Sequence, residues 1–293
     1  MNQPVQNPSP SPTPVQRPLQ APHSLIMGPA GSGKTSSIAT YAKKGIECFV
    51  IVTEPTGVDS LYDAWEREHL SLDLLHYTVI PPASAGWGAL KEMGVKINAM
   101  SYKDLSELRV GIAKETMKQY PILIRNMENF HDDRTGRMCG DVTTFGDDKC
   151  LVLDSLSGLS IISLQTAVGF KPSPHQGEWG SAMSLIENVL LKLSSDCQCY
   201  FTVTSHIERE PDEITGMSKV QVSTLGKKLA PKIPRFFGEV VRARKTGTGQ
   251  FVWSTIDTES DLKNRALPSR SDLPQDFAPI IEAWNRRKAQ SQR

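Results

Sequence analysis

The chain has 293 residues, of which 39% are hydrophobic, and a formal net charge of +1. This length and composition support a large buried core, and the near-zero charge excludes a polycation whose whole surface binds nucleic acid. No run reaches the roughly 18 apolar residues that a membrane span requires, so we expect no membrane partner. Five cysteines without a C-x-x-C pair predict a reduced protein of the cytoplasm, the host's cytoplasm if the source is a virus.

The two ends of the chain differ in composition from its middle. Residues 1–22 contain seven prolines among polar residues and few apolar side chains to offset the entropy of ordering, which predicts a disordered Pro-rich tail. We expect one domain over residues 23–270, in which the polar, turn-rich residues 126–149 form a surface insertion. Residues 271–293 are predicted to form a helical, basic C-terminal extension.

Apolar runs alternate with helix-like segments through the middle of the chain. Strands are predicted at 24–27, 47–53, 76–80, 151–154 and 199–204, and helices at 36–44, 101–120 and around 179–193. Two more strands, 239–244 and 250–257, flank a Thr-Gly turn. The pattern predicts an α/β fold with a mainly parallel sheet, helices covering both of its faces and a C-terminal β-hairpin.

The segment between the first strand and the first helix matches the phosphate-binding loop pattern G-x-x-x-x-G-K-[ST]. Its glycines allow backbone N–H groups to turn towards phosphate oxygens, Lys34 would reach the β and γ phosphates, and the Thr35 hydroxyl would hold Mg²⁺. The helix that follows adds its own N-terminal N–H groups. The residues predicted to bind ATP here are Gly28, Pro29, Ala30, Gly31, Ser32, Gly33, Lys34, Thr35 and Ser36.

Two further strands end in a carboxylate. Asp154 follows a short apolar run, and a carboxylate at that end of a strand beside the loop would hold Mg²⁺ together with Thr35. The next residue is Ser155, so the base that activates the attacking water has to come from elsewhere. Glu54 ends the second predicted strand and is the candidate base; the alternative is a surface acid in the turn before Pro55.

Together these segments resemble the core of RecA-type P-loop ATPases, and among them the phage-encoded RecA-like recombination ATPases that accompany single-strand annealing systems. The resemblance covers about residues 22–270 and is carried by 28–35, 53–55, 151–156 and 201–206. It implies a RecA-like fold, hydrolysis of ATP with Mg²⁺, and a homo-oligomer, either a ring or a filament, on single-stranded DNA. A single-strand annealing or binding protein is a further implied partner.

In that family the strand after the Mg²⁺-binding aspartate ends in a polar residue that senses the γ-phosphate, and a DNA-contacting loop follows. His206 has the sensor position, where many of these proteins have glutamine; the alternative is a plain polar strand-end residue. Residues 207–226 would be the DNA loop. The residues predicted to contact DNA are Arg209, Lys219, Lys227 and Lys228. The basic stretch 219–245 has eight Lys or Arg and one acid, and its alternative interpretation is a solvated surface.

Lys263 and Arg265 follow the predicted hairpin. Ring-forming RecA-type motors have a Lys-x-Arg at this place, where the two cations reach the ATP site of the neighbouring subunit. The resemblance therefore implies that Lys263 and Arg265 are catalytic residues acting in trans, which requires an oligomer. The alternative is a solvated pair of cations.

The sequence predicts an ATPase, stimulated by DNA, that acts on single-stranded DNA in recombination, annealing or replication. One alternative is a ring-forming DNA helicase or helicase loader, although the chain has no obvious second domain for that work. The other is a nucleotide-switched regulatory ATPase that acts on protein partners and does not respond to DNA.

Overall fold

The computed structural model describes residues 19–107, 114–171, 173–211 and 218–291. The strands are β1 (His23–Met27), β2 (Glu47–Val52), β3 (Leu75–Val79), β4 (Lys149–Asp154), β5 (Tyr200–Ser205), β6 (Ile207–Pro211), β7 (Ser218–Val222), β8 (Glu239–Lys245), β9 (Phe251–Ser254) and β10 (Leu273–Pro274). The α-helices are α1 (Ala39–Ala42), α2 (Gly57–Arg67), α3 (Trp87–Ala99), α4 (Tyr102–Glu107), α5 (Gln119–Glu128), α6 (Leu156–Val168), α7 (Gln176–Asp196), α8 (Gly226–Leu229) and α9 (Ala278–Ser291).

Eight of the strands form one sheet in the order β10-β9-β8-β1-β5-β4-β2-β3. The six strands from β8 to β3 run parallel to their neighbours, and β9 and β10 are antiparallel at one edge. The predicted mainly parallel α/β sheet and the β8–β9 hairpin are confirmed. Because β5 lies between β1 and β4, the strand that ends in Asp154 is two positions from the strand that leads into the glycine loop.

Both faces of the sheet are buried, as near-continuous apolar strands require. Alternate side chains belong to different cores: Phe49 and Leu151 pack with helices α5, α6 and α7 on one face, and Val50 and Val152 pack with α1, α2 and α9 on the other. Because the six strands from β8 to β3 run parallel, their carboxyl ends lie at one edge of this covered sheet. This edge is where open α/β sheets place ligands.

Three predicted elements differ from the observed ones. The helix expected at 36–44 is a 3-10 turn, Ser36–Ile38, followed by α1, and it ends before Gly45, whose φ is +75°. The helix expected at 101–120 is not continuous, because α4 ends at Glu107 and α5 begins at Gln119, and residues 108–113 lie outside the described residues. The loop expected at 207–226 contains β6 and β7, which pair as an antiparallel ribbon; residues 212–217 are not among those described.

Residues 126–149 are not a surface insertion. Phe130 and Val142 are fully buried, Phe145 is 4% exposed, and all three pack in the core that also contains Phe49. Asp132 is fully buried too and is bonded to His76 at 3.0 Å. The sequence did not indicate that these few apolar residues are buried, because the segment around them is polar and forms mostly turns and side-chain hydrogen bonds.

The C-terminal segment is helical, as predicted, but it belongs to the main body. β10 extends the sheet past residue 270, and Phe277 stacks on Tyr41 of α1 with ring centroids 3.9 Å apart.

At the N-terminal end of the described residues, Ala21 is buried and its N–H donates to Gln198 O at 3.2 Å. The predicted Pro-rich tail lies outside the described residues up to residue 18. Among the described residues, no helix has both the length and the apolar character needed to cross a membrane.

Candidate functional site

The glycine loop leaves the carboxyl end of β1 and turns beside β8. Gly31 and Gly33 have φ of +68° and +86°, which are values that side chains with a Cβ avoid. Gly28 has no room for a side chain, since a Cβ there would lie 2.5 Å from Ala243 O. The sequence pattern therefore corresponds to a backbone that only glycine can form at these positions.

Lys34 lies under this loop. Its Nζ donates to Gly28 O and to Pro29 O, both at 2.9 Å, and the side chain is 8% exposed. Burial lowers the pKa of Lys34, and the nearby carboxylates of Asp154 and Glu54 oppose that effect. The loop thus holds an ammonium group in a poorly solvated position, where an anion would be strongly attracted.

Asp154 and Thr35 come together across the sheet edge. Thr35 Oγ1 donates to Asp154 Oδ2 at 2.8 Å, and Thr204 Oγ1 donates to the other carboxylate oxygen. Burial raises the pKa of Asp154, while these two hydroxyl donors act in the opposite direction. Hydroxyl and carboxylate oxygens are the ligands that Mg²⁺ prefers, so the donor set fits this ion. Thr35 and Asp154 are the two residues that the sequence assigned to the metal.

Glu54 lines the same cleft as Lys34 and makes two hydrogen bonds through one oxygen. Its Oε1 accepts from Ser155 Oγ at 2.5 Å and from His206 Nε2 at 2.9 Å. The bond to His206 is the main reason that the pKa of Glu54 is lowered to about 2. Glu54 is therefore ionised at neutral pH, and its Oε1 is already engaged by protein donors.

These groups line one open cleft of about 280 Å³. It contains the loop from Ala30 to Ser36 together with Glu54, Asp154 and His206, whereas Gly28 and Pro29, which were also predicted to bind the nucleotide, do not line it and contact Lys34 through their carbonyls. A wider space of about 570 Å³ adjoins it and shares Gly33, Ser36 and Phe251.

Sequence reasoning missed several residues at this site, among them Thr56, Gly57 and Ser60, which line the cleft. Thr204 bonds Asp154, and its place in the strand before His206 could have identified it. Phe251 of β9 is 40% exposed and lines both spaces. Gln275 donates to Ser32 O at 2.8 Å and to Val252 O at 3.1 Å, and so ties the loop to the sheet edge. No local signal identifies Phe251 or Gln275, because both are more than 200 residues away from the loop in sequence.

The predicted DNA contacts divide into two groups. Arg209 on β6 pairs with Glu259 at 3.5 Å, and Lys219 on β7 pairs with Asp261 at 2.8 Å. Lys227 and Lys228 lie exposed on α8 and have no ion pair within the described part of the chain. The β6–β7 ribbon begins directly after His206, whose carbonyl accepts from Ser223 N at 2.8 Å.

Lys263 and Arg265 are at the opposite end of the sheet from the glycine loop. Lys263 pairs with Val240 near the start of β8, and its Nζ donates to Phe237 O at 2.9 Å. The backbone N–H of Arg265 donates to Glu239 at 3.0 Å, and its side chain is exposed. Neither cation contributes to the cleft of its own chain, and a role in trans stays a prediction.

Neither the comparison with protein-family models nor the comparison with curated proteins returns a match for this chain.

Proposed function

We propose that this chain is a magnesium-dependent ATPase of the RecA type that acts on single-stranded DNA in recombination, annealing or replication. The observation that carries the proposal is the 2.8 Å contact between Thr35 and Asp154 beside a glycine loop that encloses Lys34. This arrangement supplies a phosphate cradle, a cation and a pair of hard oxygen ligands within one cleft.

The loop and Lys34 would bind the triphosphate. Lys34 Nζ exchanges its bonds to Gly28 O and Pro29 O for phosphate oxygens, and the loop N–H groups surround the β-phosphate. Thr35 and Asp154 would hold Mg²⁺, which neutralises charge on the phosphate oxygens when it is bound. The adjoining space beside Phe251 is where the nucleoside part would lie.

Glu54 would orient the attacking water and accept its proton. A carboxylate with a pKa of about 2 is a weak base, because general-base catalysis is most efficient when the pKa is near the working pH. Moving His206 away from Glu54 would raise that pKa and leave Oε1 with the Ser155 hydroxyl as its remaining donor among the described residues. His206 directly precedes β6, so the ribbon is the element that can move it. DNA bound at the ribbon would thereby stimulate hydrolysis.

Lys263 and Arg265 would act in trans in a homo-oligomer, a ring or a filament, in which each site is completed by the neighbouring subunit. Their distance from the cleft of their own chain is compatible with this arrangement. The resemblance to phage recombination ATPases adds a single-strand annealing or binding protein as a proposed partner, and the cytoplasm as the proposed location.

A nucleotide-switched ATPase acting on protein partners is the second candidate. It is favoured by the ion pairs of the ribbon, because Glu259 and Asp261 already neutralise Arg209 and Lys219, two of the four predicted DNA contacts. A ring-forming helicase or helicase loader differs from the main proposal only in unwinding duplex DNA.

Steady-state ATP turnover of the full chain with and without single-stranded DNA tests these possibilities, with Lys34→Ala as the inactive control. Stimulation by DNA that Lys34→Ala abolishes supports the main proposal, and a strand-displacement assay then separates a helicase from it. Turnover that DNA leaves unchanged, together with no DNA binding in the presence of ATP, contradicts the DNA role and leaves the regulatory candidate.

A further inference from the structure

A second cleft, of about 250 Å³, lies at the amino ends of β1 and β8. It is bordered by residues 20–23, the lead into β8, the 263–266 segment and the buried face of α9. The glycine loop follows the carboxyl end of β1, so this cleft is at the opposite end of the sheet from the proposed ATP site.

The charges that line this cleft are unbalanced. The cations that line it are Arg235, Lys263, Arg265 and Arg287, and Glu239 is the one carboxylate among the described lining residues. Glu239 is 3% exposed and accepts from the backbone N–H groups of Arg265 and Ala266 at 3.0 Å, so its hydrogen-bonding capacity is used within the fold. Burial raises the pKa of Glu239, while the two backbone donors and the charges of Arg265 and Arg287 oppose that effect.

Two of the cations interact with Glu239 only through space and make no direct contact with a described acidic group. Lys263 donates to Phe237 O, and Arg235 pairs with Glu187 at 3.2 Å. The guanidinium groups of Arg265 and Arg287 make neither an ion pair nor a hydrogen bond with any part of the chain that the structure describes. Guanidinium groups bind phosphate oxygens in a bidentate manner, which makes this pair suited to a phosphate group.

His23 adds a buried polar atom. The residue is 8% exposed, it lines the cleft, and its Nε2 has no hydrogen-bond partner among the residues that the structure describes. Burial lowers the pKa of His23 to about 4, so the ring is neutral at pH 7, and a hydrogen bond to the backbone of Cys197 occupies the other ring nitrogen. Nε2 is therefore an acceptor without a donor, and such an atom favours a ligand that supplies one.

We propose that this cleft binds a small phosphorylated molecule. Its phosphate oxygens accept from the guanidinium groups of Arg265 and Arg287, and a hydroxyl or N–H of the ligand donates to His23 Nε2. Among the described residues that line the cleft, no carboxylate is free to hold a cation, so binding does not require Mg²⁺. The proposed ATP site differs in this respect, since Asp154 and Glu54 face its cation. Arg287 has no part in the proposed trans role of Arg265, and its contribution is therefore specific to this second site.

The test uses the full-length Lys34→Ala chain in EDTA, so that the glycine loop does not contribute. Inorganic pyrophosphate is titrated by calorimetry into this chain and into the same chain with Arg287→Gln, Arg265→Gln or Arg286→Gln. Arg286 is an exposed neighbour on α9 that does not line the cleft, and it is the matched control. We expect saturable binding that Arg287→Gln and Arg265→Gln each weaken at least tenfold and that Arg286→Gln leaves unchanged.

Absence of binding to the Lys34→Ala chain, or equal affinity in the Arg287→Gln and Arg286→Gln chains, overturns this proposal. The donor to His23 is tested with ribose 5-phosphate, whose affinity should fall in His23→Phe by more than that of inorganic phosphate. An equal fall for both removes His23 from the site. Because every arm lacks Lys34, the outcome does not depend on whether the wild-type chain hydrolyses ATP.

Discussion

The two ends of the parallel sheet carry opposite charge arrangements. At the carboxyl end, Glu54 and Asp154 face one ammonium group, that of Lys34. At the amino end, three arginines and a lysine surround the single carboxylate of Glu239. The first arrangement accommodates an anion only together with a cation, as in a magnesium–nucleotide complex, whereas the second accommodates an anion alone. The same sheet thus presents two clefts of different charge, which we propose as two chemically different phosphate sites.

Glu54→Gln should produce the largest change at the carboxyl end. Loss of a general base lowers kcat by roughly 10²- to 10⁴-fold, and ATP affinity should stay within about threefold because the loop and Lys34 are intact. Steady-state turnover and nucleotide binding measure the two effects. Glu66→Gln, an exposed acid on α2, is the control. Turnover of Glu54→Gln within twofold of wild type would remove Glu54 from the mechanism.

Phe277→Ala tests whether the C-terminal segment stabilises the main body of the fold. Phe277 is fully buried, stacks on Tyr41 and contacts Trp253 edge-on at 4.9 Å. Truncation of a buried phenylalanine lowers the free energy of unfolding by about 3–5 kcal/mol. Urea unfolding followed by circular dichroism measures it. The exposed Ile256→Ala should change this free energy by less than about 0.5 kcal/mol. Similar values for the two variants would make the C-terminal segment a peripheral extension after all.

Gln275→Ala should have a smaller effect than Phe277→Ala, and we expect it to lower only the affinity for the nucleotide. It removes the bond that holds Ser32 O at 2.8 Å, and a neutral hydrogen bond contributes about 0.5–1.5 kcal/mol, so ATP affinity should fall by roughly two- to tenfold. Fluorescent nucleotide titration measures the change. Gln198→Ala, a glutamine at the amino end of the sheet, should leave affinity unaltered. If both variants bind ATP as wild type does, Gln275 has no role in positioning the loop.

Asp261→Asn gives the smallest expected change. It releases Lys219 from an exposed ion pair worth about 0.2–1 kcal/mol, so single-stranded DNA should bind roughly 1.5- to 5-fold more tightly at fixed salt. Anisotropy of a labelled oligothymidine reports the affinity. Asp272→Asn, which breaks the exposed pair with Arg270, is the control. A gain shared by both variants would reflect net charge rather than the ribbon.

The glycine loop, Asp154 and Glu54 were predictable from sequence because each is a local pattern placed at the end of a strand. The effective charge of the 219–245 stretch was not predictable in this way. The stretch 219–245 has one acid within it, but acids distant in sequence neutralise several of its cations, among them Glu187 for Lys232 and Arg235. A count of local charges does not include such partners. Gln275 and Phe277 escaped prediction for the same reason, since their contacts are set by tertiary packing.

The most direct test of the account is calorimetric titration of ATP into the wild-type chain with Mg²⁺, repeated in EDTA and with Lys34→Ala. We predict one Mg²⁺-dependent ATP-binding event per chain, an affinity for ATP at least tenfold weaker in EDTA, and loss of the Mg²⁺-dependent event in Lys34→Ala. No uptake of ATP by the wild-type chain, or equal uptake by Lys34→Ala, would contradict the assignment of the glycine loop as a nucleotide site.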